Sequence, residues 1–303
     1  MFFIHSCLLT DKLRRFILIC SLLFISNELI MSQKAENFTN GIFLKRLTND
    51  TSYLNVRKKI ITEYSHAKPG RWGEFVNGVN EDLSTKQKYI AFTFDACGGK
   101  NGNGYDKELI NYLHKEKIAA TLFVTGRWID GNFNTFLNLS KDTLFEIENH
   151  GLNHKPCSIN GESEYGIQGT ANAQEAFDEI EGNARKIEAL TNHKPRYFRS
   201  ATAFIDEACV RIAAELGITA VSFRVLSGDA VAFTPDSVIV QNVLRNCKSG
   251  AIVIMHFNHP KWNTYEAMQK IIPKLRLQGY QFVKLNAFPL TSMEKRTVHK
   301  KHI

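Results

Sequence analysis

Several features that mark other protein classes are missing from this chain of 303 residues. It has no Cys-x-x-Cys pair, so a structural zinc site is not expected. It has no internal repeat, no low-complexity tract and no nucleic-acid-binding motif, although its formal charge is +8. Its N-terminal apolar run, residues 16–25, is shorter than the roughly 20 residues that a membrane-spanning helix needs. With 44% hydrophobic and 22% charged residues, the composition is that of an ordinary globular protein.

The apolar run nevertheless indicates export. Three basic residues, Lys12, Arg14 and Arg15, precede it, and this order is typical of a secretory signal. No small-x-small cleavage triplet follows Ser26, so an uncleaved anchor is an alternative, and a start at Met31 would remove the segment altogether. We therefore predict a periplasmic, secreted or envelope-anchored protein, whose association with a membrane runs only through this segment.

The tail and the cysteines add weaker indications. The basic C-terminal tail is either a solvated tail, which we favour, or a surface attracted to an anionic bacterial envelope. Two cysteines, Cys7 and Cys20, lie in the leader. In an exported chain the other four could form up to two disulfides. These four are Cys97, Cys157, Cys209 and Cys247.

From residue 89 onward, strand-like and helix-like segments alternate. We predict strands over 89–95, 119–124, 144–147, 197–198, 218–223, 251–255 and 280–283. We predict helices over 106–116, 172–190, 206–216, 237–246 and 265–277. This serial order favours a parallel sheet, open or closed into a barrel. Residues 36–88 are polar and are predicted to form a loop-rich extension packed on this domain.

Polar residues stand where several of these strands end. The first strand ends at Asp95, and an acid at the carboxyl end of a core strand is where α/β folds place their chemistry, although it could also cap the next helix. In a parallel barrel all such ends converge on one face. The strand-end residues are Asp95, His150, Arg199, Asp229 and His256.

Two pairs of residues suggest specific chemistry. His150 and His154 lie four apart, and on a helical turn both imidazoles would face the same side and suit a metal, although two surface histidines are the simpler alternative. His256 follows five apolar residues and is either a satisfied core histidine or a general acid or base that Asp229 orients.

Taken together and in order, these segments resemble the polysaccharide deacetylase family, also called NodB-type or carbohydrate esterase family 4. The resemblance spans roughly residues 72–286 and ends in the run Gly279-Tyr280-Gln281-Phe282-Val283-Lys284-Leu285. The other segments that carry it are Thr93-Phe94-Asp95, Asn149-His150, His154-Lys155-Pro156, Phe198-Arg199, Gly228-Asp229 and Ile254-Met255-His256.

The resemblance implies a distorted (β/α) barrel that removes acetyl groups from N-acetylated sugars of a cell-envelope polysaccharide, with peptidoglycan as the expected substrate. It implies a divalent metal, expected to be zinc, held by His150, His154 and an aspartate, for which Asp95 is the candidate here. The metal polarises the acetyl carbonyl and the attacking water. The implied division is a leader (1–32), a polar extension (33–71), the catalytic domain (72–286) and a basic tail (287–303).

The resemblance also assigns roles to the remaining strand-end residues. Asp95 would be the catalytic base, and His256 would protonate the leaving amine. Arg199 would tune Asp95, and Asp229 would tune His256.

One departure from the family pattern affects the metal. The family usually has Thr-Phe-Asp-Asp followed by Gly, and the second Asp is a ligand, but here that position is Ala96. The missing donor could be Asp95, Cys97 or Glu148, or the metal could be bound weakly or not at all. Cys97 could instead form a disulfide with Cys157, and we slightly favour this disulfide over ligation.

Two further departures concern the substrate. Arg199 runs into the unusual loop 200–204, and Ala230 stands where the family usually has Trp after the aspartate. The leading hypothesis is therefore a sugar deacetylase. The alternatives are a catalytically silent glycan-binding protein on the same barrel and a related hydrolase that acts on a non-sugar amide.

Overall fold

A computed structural model describes residues 3–292 of the chain. Its helices are α1 (Phe3–Asn37), α2 (Asn40–Leu47), α3 (Thr51–Tyr64), α4 (Lys107–Lys115), α5 (Gly126–Gly131), α6 (Phe133–Ser140), α7 (Ala173–Thr191), α8 (Glu207–Glu215), α9 (Asp236–Asn246) and α10 (Thr264–Leu277). Its strands are β1 (Trp72–Gly73), β2 (Asp82–Leu83), β3 (Tyr89–Ala96), β4 (Ala120–Val124), β5 (Phe145–Asn149), β6 (Ser163–Glu164), β7 (Ile167–Gln168), β8 (Tyr197–Phe198), β9 (Ile205–Asp206), β10 (Thr219–Ala220), β11 (Val225–Leu226), β12 (Ile252–His256), β13 (Gln281–Phe282) and β14 (Leu290–Thr291).

The main sheet is parallel and curls into a half-barrel with helices outside. Its strands run in the order β10-β8-β5-β4-β3-β12-β11, and β13 pairs with the first residues of β3. The expected distorted (β/α) barrel is thus confirmed. The predicted strand over 218–223 is shorter than expected, because only β10 pairs as a strand there and Val221 adds a single bridge to Asn80.

Alternation along β3 decides what each of its residues does. Phe92, Phe94 and Ala96 point outward into the large core that the sheet shares with α4, α9 and α10. Asp95 points the opposite way, toward the inside of the half-barrel. The residue pairing places Asp95 beside His256 of β12, so two strand ends bring their polar groups together.

Several helices begin at a side chain that accepts a backbone N–H. Asp106 accepts from Leu109 at the start of α4, and Asn172 accepts from Glu175 at the start of α7. Asp106 therefore fills the capping role that was the alternative for Asp95.

The N-terminal extension is helical up to Tyr64, so the prediction of a loop-rich segment is wrong for this part, whereas residues 65–88 are mostly loop as predicted. Its helices α2 and α3 bury Phe43, Leu47, Tyr53, Ile60 and Tyr64 against the domain, mainly against α7. These few apolar residues are spread among many polar positions, which is why the sequence pattern predicts a loop. Most of the stabilisation comes from this packing, since short isolated helices are marginal in water.

The predicted leader lies in α1. Apolar side chains of α1, including Phe16, Leu23 and Leu29, are more than half exposed. Within residues 3–292, no helix is both long enough and apolar enough to cross a membrane. The basic tail residues Lys295, Arg296, Lys300 and Lys301 lie outside the described residues.

Candidate active site

One pocket collects the polar residues that the sequence singled out. It has a volume of about 470 Å³ and lies at the carboxyl ends of the parallel strands. Of the predicted site residues, it is lined by Asp95, Cys97, His150, His154 and His256. Arg199 and Asp229 lie behind this lining and contact it, as described below.

Asp95 and Arg199 form a buried ion pair. Arg199 Nη1 donates to Asp95 Oδ1 over 2.7 Å, and both side chains are almost wholly shielded from solvent. Arg199 Nη2 also donates to the Ser222 carbonyl, and the guanidinium stacks on the Phe123 ring at 4.3 Å. A buried carboxylate is tolerated only when it is paired, so Arg199 fixes the position of Asp95 and supplies its counter-charge.

His256 and Asp229 form a second pair. The Nδ1 atom of His256 lies 3.0 Å from Asp229 Oδ1, and the backbone N–H of His256 donates to Asp229 Oδ2 over 2.8 Å. Ser227 and Thr264 hydroxyls also donate to this carboxylate. Burial by itself lowers the pKa of His256, but the charge of Asp229 and its hydrogen bond outweigh burial and raise the pKa. This contact occupies Nδ1 and leaves Nε2 for the pocket.

His150 and His154 come together through a loop. The expected helical turn is absent, because residues 150–154 follow β5 as irregular backbone with φ +88° at Gly151 and +57° at His154. The two ring centroids are 5.1 Å apart. His150 Nδ1 donates to the Arg199 carbonyl over 2.8 Å, because a carbonyl can only accept, and Nε2 is then left with a free lone pair.

A buried acid that the sequence analysis missed holds this loop. Glu179 of α7 accepts the backbone N–H groups of Asn153 and Lys155, each over 3.0 Å. A Cβ on Gly151 would lie only 2.4 Å from Glu179 Oε1, so glycine is required there. The sequence did carry a sign of this buried acid, because Glu179 stands next to Ile180 in the apolar stripe of the predicted helix 172–190. Burial raises the pKa of Glu179 to about 7.

Cys97 completes a cluster of potential metal donors. Its Sγ and one ring nitrogen from each of His150 and His154 all lie within 4.8 Å of one another. Burial raises the pKa of Cys97 to about 12, and burial also lowers the pKa of His154 well below its ordinary value. Neutral imidazole is the form that binds metal.

Two expectations about this site are wrong, one for the donor Glu148 and one for a disulfide of Cys97. Glu148 Oε2 accepts the backbone N–H groups of Arg196 and Tyr197 at the start of β8, so it faces away from the two histidines. The expected Cys97–Cys157 disulfide is not formed, because Cys157 is buried against Cys209, with which its thiol forms a hydrogen bond.

Comparison with known proteins identifies the domain. Residues 82–221 match the sequence model of the family described as polysaccharide deacetylase. This chain contains a polysaccharide deacetylase domain of the NodB type, carbohydrate esterase family 4. The resemblance found in the motifs is thereby confirmed.

The relatives of this deacetylase domain include enzymes and a pseudoenzyme. The chain is 27% identical to the peptidoglycan-N-acetylglucosamine deacetylase of Bacillus cereus over 68% of this chain and 90% of that one. It is 27% identical to the uncharacterized protein YlxY of Bacillus subtilis, over 59% of this chain and 51% of the relative. Among solved structures, BA3943 of Bacillus anthracis, a family 4 pseudoenzyme, has 28% identity and a TM-score of 0.57, covering 67% of this chain and 65% of that one. The chain therefore spans only about half the length of YlxY.

The donor set of the deacetylase domain fits a divalent metal. Two neutral imidazoles and a thiol are the donor types that zinc binds, and they line a pocket that leaves room for water or substrate. The Asp95 carboxylate is held by Arg199, and its Oδ2 lies 3.8 Å from His150 Nε2, so it stands beside the cluster.

The pocket wall of the deacetylase domain is mainly apolar. Ala203, Phe223 and Ile254 pack together there, and loop 200–204 supplies Thr202 and Ala203 with φ near +60°. Ala230 lies in the wall at the position where the family usually has Trp. A pocket of this kind suits an acetyl methyl group better than a charged substituent.

Proposed function

We propose that this chain is a hydrolase that removes acetyl groups from N-acetylated sugars of a cell-envelope polysaccharide. The observation that carries the proposal is the meeting of two buried pairs, Asp95 with Arg199 and His256 with Asp229, at one pocket that also holds His150 and His154. Deacetylation of an amide needs one group that takes a proton and another that gives one, and the two pairs supply them.

Asp95 is proposed as the base. Its Oδ2 faces the pocket while Oδ1 is held by Arg199, so the carboxylate can take the proton of a water that attacks the acetyl carbonyl. A zinc ion held by His150 and His154 would polarise the carbonyl and make the water more acidic. Zinc is proposed because the donors are imidazole and sulfur.

His256 is proposed as the acid. As the carbon–nitrogen bond breaks, Nε2 donates its proton to the sugar nitrogen, so that the products are acetate and the free amine. Asp229 favours the imidazolium, because its charge raises the pKa of His256. Arg199 and Asp229 act on Asp95 and His256 and do not contact substrate themselves.

Peptidoglycan is the proposed substrate, and the cell exterior the proposed location. The names of relatives in Bacillus cereus, Bacillus subtilis and Listeria monocytogenes describe peptidoglycan deacetylases. Such substrates lie outside the cytoplasm, which agrees with the basic-then-apolar leader. We further propose residues 72–286 as the catalytic domain, since the family match at 82–221 falls inside these bounds.

The test is acetate release from N-acetylated peptidoglycan fragments. His256→Ala should lower kcat by about a hundredfold or more, because the leaving amine then lacks its proton donor. His193→Ala, at an exposed histidine, is the matched control and should keep wild-type activity. Full activity in His256→Ala would contradict the assignment.

A catalytically silent glycan-binding protein is the second candidate. Ala96 at the usual ligand position and the structural likeness to a pseudoenzyme favour it. The two are separated by measuring acetate release and bound metal on the same preparation. Glycan binding with neither metal nor acetate release would favour the binding protein over the hydrolase.

A further inference from the structure

We propose that Cys97 is the third protein ligand of the metal, so that the site is Cys-His-His where the family usually has a carboxylate with two histidines. This inference rests on the proposed function, because it concerns the metal of the same site. Three observations support it. The first motif offers no carboxylate that can serve as the third ligand, Cys97 lies where that ligand is needed, and the groups around its sulfur suit this role.

The first motif of the family has carboxylates at two positions, and neither position can supply the third metal ligand here. Ala96 has no donor atom, and its methyl group is buried in the outer core. Asp95 is fixed by its ion pair with Arg199, which is itself anchored by the Ser222 carbonyl and the Phe123 ring. Its other oxygen, Oδ2, lies 3.8 Å from His150 Nε2 but does not belong to the group of donor atoms that all lie within 4.8 Å of one another.

Cys97 is placed where the missing donor is needed. Its Sγ closes a triangle with His150 and His154, all within 4.8 Å, and no other such group of three His, Cys, Asp or Glu donors occurs among residues 3–292. Cys97 lies two residues after Asp95 and one after Ala96. Because side chains alternate along an extended segment, Cys97 returns to the inner side that Asp95 faces.

The turn after Cys97 is fixed by close packing. The Cys97 carbonyl accepts from Thr125 Oγ1 over 2.8 Å. Gly98 has φ +71°, and a Cβ there would lie 2.4 Å from the Trp128 backbone nitrogen. Only glycine permits this close approach. The close packing of Gly98 on Trp128 in turn fixes the backbone from which Cys97 projects into the pocket.

A cation lies beside Cys97. Arg127 Nη2 donates to the carbonyl of the next residue, Gly98, over 3.4 Å, and Arg127 Nε is buried with no hydrogen-bond partner. As the metal binds, the thiol gives its proton to solvent and a sulfur–metal bond forms. One anionic and two neutral ligands result, the same charge as with a carboxylate. Sulfur favours zinc over magnesium, calcium or manganese.

The experiment uses the metal-free full chain titrated with Co²⁺ as the probe. We expect one cobalt per chain and a thiolate-to-cobalt charge-transfer band in the near ultraviolet. Cys97→Ser should lose the band and weaken cobalt binding by about tenfold or more. Cys247→Ser removes a thiol at the end of α9 and should change neither. Cys97→Asp should bind cobalt without the band.

A second measurement needs no variant. X-ray absorption of the zinc-loaded wild type should show one sulfur neighbour at about 2.3 Å from the zinc, together with nitrogen neighbours at about 2.0 Å. This measurement keeps the proposal testable if Cys97→Ser fails to fold.

The outcomes separate this inference from the proposed function. Cobalt bound without a thiolate band, and zinc bound without a sulfur neighbour, would overturn Cys97 as a ligand and leave the deacetylase proposal standing if acetate is released. No cobalt or zinc binding at all would overturn both the ligand and the metal-assisted reaction.

Discussion

At the scale of single residues, the site depends on pairs in which one side chain sets the state of another. Arg199 forms an ion pair with Asp95, and Asp229 raises the pKa of His256 against the effect of burial. The sequence indicated both pairs as strand-end residues that would converge. It did not indicate which atoms meet, because that depends on the curl of the sheet.

The pH dependence should reveal the Asp229–His256 pair. His256 must be protonated to act as the acid, so kcat falls as pH rises through its pKa. Asp229→Asn removes the charge that raises this pKa, and the alkaline limb of kcat should move to lower pH by about one unit or more. The measurement is kcat for acetate release across pH. An unmoved alkaline limb would mean that His256 is not the acid.

At the scale of secondary-structure elements, the histidine loop depends on a neighbouring helix. Glu179 of α7 accepts two backbone N–H groups of the loop between His150 and Lys155, and Gly151 permits its close approach. The loop conformation, and not a helical repeat, brings the two imidazoles together. The four-residue spacing correctly indicated that the two histidines lie close together. The helical turn given as the reason was wrong.

Glu179→Gln should therefore weaken metal binding. The amide offers only one acceptor oxygen to the loop and points an N–H₂ group at a backbone donor, so we expect a loss of about 10- to 100-fold in zinc affinity. The measurement is competition for zinc with a chromophoric chelator. Glu188→Gln, on an exposed face of the same helix, is the control and should bind as the wild type does. Equal affinities of the two variants would show that Glu179 does not position the metal ligands.

At the scale of the whole molecule, the N-terminal extension is fastened to the domain by a buried lysine. Lys186 Nζ donates to Asn40 Oδ1 over 2.7 Å and also contacts Asp130 and the Gly126 carbonyl. Lys186 is fully buried, so only these partners offset the cost of removing its charge from water. The extension thus contributes to the same unit as the catalytic domain.

Lys186→Met should loosen this attachment. Asp130 loses its counter-charge and Asn40 its donor, and we expect the free energy of unfolding to fall by about 2–4 kcal/mol, below the full cost of breaking a buried pair because Asp130 is partly exposed. Urea unfolding and limited proteolysis of residues 38–70 would measure it. Lys59→Met, which removes a surface ion pair with Glu215, should change stability by less than about 1 kcal/mol.

The sequence by itself determined the order of most strands and helices after residue 89 and the residues that end the strands. Periodicity of apolar residues is local, so it identified β3, β12 and α7 and the family pattern they carry. It missed α2 and α3, because their few apolar residues form no clear pattern in the sequence and become a core only by packing against α7.

Tertiary structure alone decided which of the candidate metal donors come together. Whether Cys97 joins His150 and His154 or pairs with Cys157 depends on segments far apart in the chain, and contacts between such segments leave no periodic signal. The structure places Cys157 against Cys209 and leaves Cys97 in the pocket. The distance between segments is set by the curl of the sheet and by the packing of Gly98 on Trp128, which no local pattern encodes.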